Sequence, residues 1–150
     1  MSEHDILTDA ERQALREVMQ APAQAEQCVL IVDDEPIARD LLAEFLTLHE
    51  IECLTASNET QALALLDSER PIGLMVTDLR MEPHDGLHLI RKVRESDRAE
   101  LPIIIMSGDA GVRDAIEAMH LNVLDFLLKP IDPPKLLHLI KQELNLDLDL

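Results

Sequence analysis

The chain predicts an α/β fold in which five parallel strands form one doubly wound sheet with helices on both faces. Three observations carry that expectation. Short apolar runs rich in β-branched residues recur five times, each too short for a helix and suited to a strand buried on both faces. Between them lie stretches whose apolar residues return every three or four positions, the period of an amphipathic helix. The connections are short, and strands alternating with helices over short links pair in parallel through right-handed crossovers.

Residues 1–27 read as a helical extension and linker. Thr8-Asp9-Ala10-Glu11 has the pattern of a capping box, Leu15, Val18 and Met19 give the helix it would start an apolar stripe, and Ala21-Pro22-Ala23-Gln24-Ala25 reads as a linker. The domain itself is expected over 28–146. Residues 147–150 form a tail or the start of a linker to an effector domain outside this chain, with Leu137, Leu144 and Leu148 able to continue the last helix as a coiled-coil seam.

The first strand is Cys28-Val29-Leu30-Ile31-Val32, closed by Asp33-Asp34-Glu35-Pro36. In the helix that follows, Ile37, Leu41, Phe45 and Leu48 share one face. Cys53-Leu54-Thr55-Ala56 makes a second, shorter strand, and Asn58 caps the next helix with Gln61 three residues on. The third strand, Leu74-Met75-Val76-Thr77, ends on Asp78. Asp85 can cap a third helix that turns Leu87, Ile90 and Val93 inward.

Pro102-Ile103-Ile104-Ile105-Met106 is the fourth strand. The fourth helix starts near Asp109 and carries Val112, Ala115, Ile116 and Met119 on one side, a stripe expected to pack largely on the sheet. Asn122 stands where a helix end calls for a left-handed backbone. Val123 to Leu128 supplies the fifth strand, and Asp132-Pro133 restarts a helix with Leu136, Leu139, Ile140 and Leu144 buried. Periodicity leaves the strand order open between flavodoxin-like and Rossmann-like arrangements.

The net charge of −17, from 30 acidic against 13 basic residues, repels phosphodiester backbones and argues against direct nucleic-acid binding. Arg91, Lys92 and Arg94 are the clustered cations, and a solvated helix face accounts for them. No apolar run approaches a membrane span and the N-terminus lacks the layout of a signal peptide, so the expected location is cytoplasmic, with no membrane partner. Cys28 and Cys53 read as buried thiols without zinc spacing, able to pair only if their strands are neighbours in register. His49, His84, His88, His120 and His138 are scattered, without ligand spacing, and expected on surfaces or helix ends.

In a parallel sheet every carboxyl end lies on one edge, where open α/β sheets bind ligands. The first strand ends in Asp33-Asp34, the third in Asp78, the fourth in Ser107-Gly108 and the fifth in Lys129-Pro130. Three carboxylates against one ammonium leave negative charge uncompensated, which calls for a hard divalent ion with oxygen ligands, magnesium first among them. Such a site can clamp a phosphoryl group between the ion, Lys129 and the Ser107 hydroxyl. Asp78 is then the nucleophile, since a carboxylate is already ionised and can form an aspartyl phosphate without an activating base.

Asp33-Asp34, Asp78, Ser107, Phe126 and Lys129-Pro130, in that order and spacing, resemble the receiver domain of bacterial two-component response regulators over about residues 28–146. The resemblance implies a flavodoxin-like sheet of order 2-1-3-4-5 with five helices. It implies a signalling phosphoacceptor, not a turnover enzyme: Asp78 accepts a phosphoryl group from a histidine kinase or histidine phosphotransfer protein. Mg2+ or Mn2+ would be held by Asp33, Asp34, Asp78 and the backbone carbonyl of Arg80. Lys129 would contact the phosphoryl oxygens, its bond to Pro130 would be cis, and Ser107 with Phe126 would form the switch. That switch reshapes the face made by the fourth helix, fifth strand and fifth helix, a face for a homodimer or an effector domain. Arg80 and Asp109 occupy positions that tune the lifetime of the phosphate. One departure stands out: Met81-Glu82-Pro83 places the proline one residue later than in most relatives.

Two alternatives use the same residues. A phosphatase of the haloacid dehalogenase type wants a second aspartate two residues after the nucleophile, where this chain has Arg80. A receiver-like module that binds partners without phosphorylation has no need of the intact acidic set. A nucleotide or flavin carrier would want a glycine-rich loop where Asp33-Asp34-Glu35 stands.

Overall fold

The computed structural model describes residues 27–146 apart from 69 and 110, together with residues 8, 10 and 11. Five strands, β1 (Cys28–Val32), β2 (Cys53–Ala56), β3 (Ile72–Asp78), β4 (Ile103–Ser107) and β5 (Asp125–Leu128), alternate with five helices, α1 (Pro36–Leu48), α2 (Glu59–Asp67), α3 (Gly86–Arg94), α4 (Val112–His120) and α5 (Pro133–Glu143). The sheet order is β2-β1-β3-β4-β5 with every pairing parallel, which is the flavodoxin-like order.

The predicted strands are present, with β3 reaching back to Ile72 and on through Asp78. Alternation along each strand builds two apolar layers. Leu30, Val32, Met75, Ile103 and Ile105 face α2, α3 and α4, while Val29, Ile31, Leu74, Val76 and Ile104 face α1 and α5. The same alternation settles the cysteines. β1 and β2 are neighbours, but Cys28 belongs to the first layer and Cys53 packs against the second, so both remain free thiols.

The capping residues act as their types predict. Asn58 accepts from the Gln61 amide at 2.8 Å, Asp85 from that of His88 at 2.9 Å and Asp132 from that of Lys135 at 3.5 Å. Asn122 is left-handed, with φ of 59°. Thr8 and Glu11 exchange the two bonds of a capping box, at 2.9 and 3.0 Å. The Leu15, Val18 and Met19 stripe and the linker at 21–25 lie outside the described residues.

Two helices depart from their expected faces, α1 keeping only Phe45 of its four residues against the core. On α1 the side facing the sheet is centred on Leu46, flanked by Leu42, Ala43 and Phe45, while Ile37, Leu41 and Leu48 are 60–76% exposed. Both sides of α1 are apolar, so period alone cannot choose between them. On α4 the inward residue is Ala118, and Val112, Ala115, Ile116 and Met119 face solvent. A small side chain brings this helix onto the sheet and leaves its larger apolar residues outside.

α5 buries Leu136 and Ile140, with Leu139 half-buried. Leu144, expected to serve a coiled-coil seam as well, is buried against β3: a Cβ placed on Gly73 would lie 2.9 Å from its Cδ2. The cationic group on α3 is likewise more than a solvated face. Arg94 donates to the carbonyls of Leu121, Ala99, Leu101 and Asn122, closing two loops around one guanidinium, while Arg91 pairs with Glu117 on α4. No described helix is long and apolar enough to cross a membrane.

Candidate functional site

The carboxyl edge of the sheet gathers its acidic residues at the ends of β1 and of the central strand, β3. Asp33 follows β1, its backbone N–H donating to the Ala56 carbonyl at 3.1 Å and its side chain accepting from the Glu35 amide at 3.0 Å. Arg39 of α1 reaches back to the Asp33 carbonyl at 3.3 Å. Asp78 is the last residue of β3, paired in register with Met106. One carboxylate oxygen from each of Asp33, Asp34 and Asp78 falls within 4.8 Å of the others. Asp33 and Asp78 are buried, at 2% and 7% exposure, and Asp34 is exposed.

Lys129 enters from the end of β5, held by its backbone N–H on the Ser107 carbonyl at 2.8 Å. Its ammonium stands 3.4 Å from Asp78 Oδ1 and 3.7 Å from Asp33 Oδ2. Burial pushes the Asp78 carboxyl above its ordinary value; Lys129 opposes that rise and the Asp33 charge adds to it. The site is thus electron-rich and under-compensated, a place that gains from another cation.

Ser107, fully buried at the end of β4, accepts from the Asp109 amide at 3.2 Å. It has the strand parity of Ile103 and Ile105, so it looks to the same side of the sheet as Phe126, which pairs with Ile105 from β5 and packs half-buried on the α2–α4 layer. Arg80 bridges the loop after β3 to the start of α4: its Nε meets Asp109 Oδ1 at 3.2 Å and its terminal nitrogen meets Asp114 Oδ2 at 2.9 Å. Asp114 also accepts from the Gly111 amide at 3.1 Å. The Glu82–Pro83 and Lys129–Pro130 bonds are both cis.

Sequence reasoning missed two contributors to this edge. Asp114 is a second carboxylate for Arg80, and its place is legible only after the loop is folded. Gly86 is the first residue of α3 and donates to the Leu79 carbonyl at 2.8 Å. A Cβ there would sit 2.4 Å from the Asp78 carbonyl oxygen, so only glycine lets α3 begin this close to the Asp78 backbone. Gly86→Ala is expected to destabilise the domain by about 1–3 kcal/mol, as overpacking does. Urea denaturation checks this.

The sequence profile of the response regulator receiver domain matches residues 29–141. The chain belongs to that family. A crystal structure of a response regulator receiver protein from Pseudomonas putida is 46% identical, with a TM-score of 0.77 over 80% of this receiver and 99% of that chain. An uncharacterized 14.6 kDa protein encoded 3′ of sodA1 in Leptolyngbya boryana is 39% identical over 83% of this receiver and 93% of its own length. The two-component response regulator PprB of Pseudomonas aeruginosa is 34% identical over 80% of this receiver, which spans only 44% of PprB.

Proposed function

We propose that this receiver is a phosphoacceptor of a two-component relay in the cytoplasm, with Asp78 taking a phosphoryl group from the histidine of a kinase or phosphotransfer protein. The observation that carries the reading is the placement of buried Asp78 within 3.4 Å of the Lys129 ammonium, beside Asp33 and Asp34. In the step itself, one Asp78 oxygen forms a bond to phosphorus as the bond from phosphorus to the donor's nitrogen breaks. The leaving imidazole keeps the electron pair and takes up a proton. Lys129 faces the region where the transferring oxygens gather charge, so its contribution rises toward the transition state.

The all-oxygen donor set, two of its carboxylates buried and one exposed, fits Mg2+ or Mn2+, which Asp33, Asp34, Asp78 and the Arg80 backbone carbonyl would hold. When bound, such an ion neutralises charge on the phosphoryl oxygens. Incubation with a small phosphodonor and Mg2+, followed by intact mass spectrometry, tests the reading. One added phosphoryl group is expected on the wild type and none on Asp78→Asn; phosphate found equally on both proteins would refute it.

A haloacid dehalogenase type of hydrolysis is disfavoured, because the position that needs a general acid holds Arg80, tied to Asp109 and Asp114. In the receiver reading, those ties fix the Arg80 side chain two residues after Asp78, from where it would screen the aspartyl phosphate from attacking water. Arg80→Asn is therefore expected to shorten the phosphate's lifetime several-fold, followed as decay of radiolabelled protein; an unchanged decay assigns Arg80 to loop stability alone.

Two apolar surfaces support partner roles. Leu41 and Phe45 of α1 line a cleft with Asp33, Lys129, Pro130 and Ile131, so a phosphodonor protein seated there would lie beside Asp78. On the other side of the sheet, Val112, Ile116 and Met119 of α4 are exposed, as is Leu128 of β5. In this reading Ser107 moves toward the phosphoryl group, Phe126 follows inward, and the α4–β5–α5 face is remodelled for a homodimer or an effector domain. Light scattering with Mg2+ and beryllofluoride is expected to show a doubled mass; an unchanged mass leaves the effector as the occupant.

A further inference from the structure

Away from the Asp78 rim, three donors from separate parts of the chain converge. One ligand atom each from Glu59, His84 and His88 lies within 4.8 Å of the other two. Glu59 opens α2 and is only 8% exposed, and a carboxylate under that cover needs a cationic partner. Its side-chain partner among the described residues is His88 of α3, whose Nδ1 stands 2.6 Å from Glu59 Oε1. His84, in the loop between β3 and α3, lays a second imidazole on the first, with ring centres 4.2 Å apart and planes 14° from parallel.

The contact between His88 and Glu59 makes no use of His84, whose ring lies stacked beside it. A metal ion uses all three groups at once. We propose that Glu59, His84 and His88 form a binding site for zinc or a similar borderline transition-metal cation, separate from the Asp78 rim. The ligand chemistry distinguishes the two places: two imidazoles with one carboxylate suit Zn2+, whereas the rim offers oxygen alone and suits Mg2+. Donors about 2.0–2.1 Å from a tetrahedral ion stand about 3.3 Å apart, so rotation of the exposed His84 and a small opening of the Glu59–His88 contact complete the shell. A fourth position stays open to water.

The placement gives the ion a structural role. Glu59 is on α2, His88 on α3, and His84 on the same loop as Arg80, so one cation bolts that loop to two helices. None of this rests on Asp78 being phosphorylated.

The full chain, in excess Mg2+ to occupy the Asp78 rim, is titrated with Zn2+ by calorimetry and with Co2+ by visible absorption. One ion per chain is expected, with Co2+ d–d bands and without the thiolate charge-transfer absorption that Cys28 or Cys53 would give. Losing a ligand costs at least the roughly 10–100-fold in affinity that loss of an outer-shell partner costs, so His84→Ala and Glu59→Gln should each weaken Zn2+ by that much. Since His84 is exposed, His84→Ala keeps its fold, and its melting temperature should no longer rise with Zn2+ as the wild type's does. Zn2+ affinity unchanged in His84→Ala, a thiolate band, or absence of Zn2+ binding by the wild type each overturns the proposal.

Discussion

Lys129→Met is expected to slow phosphorylation of Asp78 by about 10²–10³-fold, the usual loss when a preorganised charge that stabilises the transition state is removed. The same change leaves Asp33 and Asp78 facing each other at the sheet edge without their ammonium. Breaking a buried pair by removing one partner costs about 3–5 kcal/mol. Lys129 is about a third exposed, so solvent screening brings the expected loss nearer 1–3 kcal/mol. With Lys129 gone, the force that holds the Asp78 carboxyl down against burial is gone too, and its affinity for protons rises further. Urea denaturation at neutral pH measures the stability loss, and rates with a small phosphodonor measure the chemical one. Equal stability with a slowed reaction would assign Lys129 to transfer alone.

Asp78→Asn should abolish phosphorylation and, without divalent ions, stabilise the fold, because burial disfavours the Asp78 carboxylate. The sign follows from the direction of the shift. Asp78 is raised above 3.8 in the folded chain, so between 3.8 and its folded value the native state binds more protons than the unfolded state does. Wild-type stability therefore falls as pH rises through that window and stays reduced above it. Asparagine carries no such penalty. Its advantage should be full near neutrality and vanish as pH drops below 3.8, which denaturation series at several pH values will show. An asparagine variant less stable than wild type at neutral pH would mean that the carboxylate's contacts with Lys129 outweigh its desolvation.

The sheet was legible because the strands are apolar runs, four of the five closed by a chemically distinctive residue. Asp33, Asp78, Ser107 and Lys129 are that punctuation, and parallel pairing alone sends all four to one edge. The faces of α1 and α4 were less legible. A stripe of apolar residues normally marks the buried side, but α1 has two such sides and α4 packs through Ala118, so the conspicuous residues ended in water. Contacts between elements distant in sequence left the weakest trace. His84 and His88 are four residues apart, yet the carboxylate beside them comes from α2, and nothing near Glu59 in the chain announces it. Gly86 reads as a poor helix former until the Asp78 carbonyl is seen against it.

Leu144 lies past the last residue of α5 and fills the space above Gly73, at the start of the strand that ends in Asp78. The folding unit therefore extends beyond residue 141, where the match to the family stops. A fragment trimmed at that boundary would open a void beneath the central strand and admit water to the α1–α5 layer. Its lower melting point would reflect a missing plug and should not be mistaken for weakness in the rest of the domain.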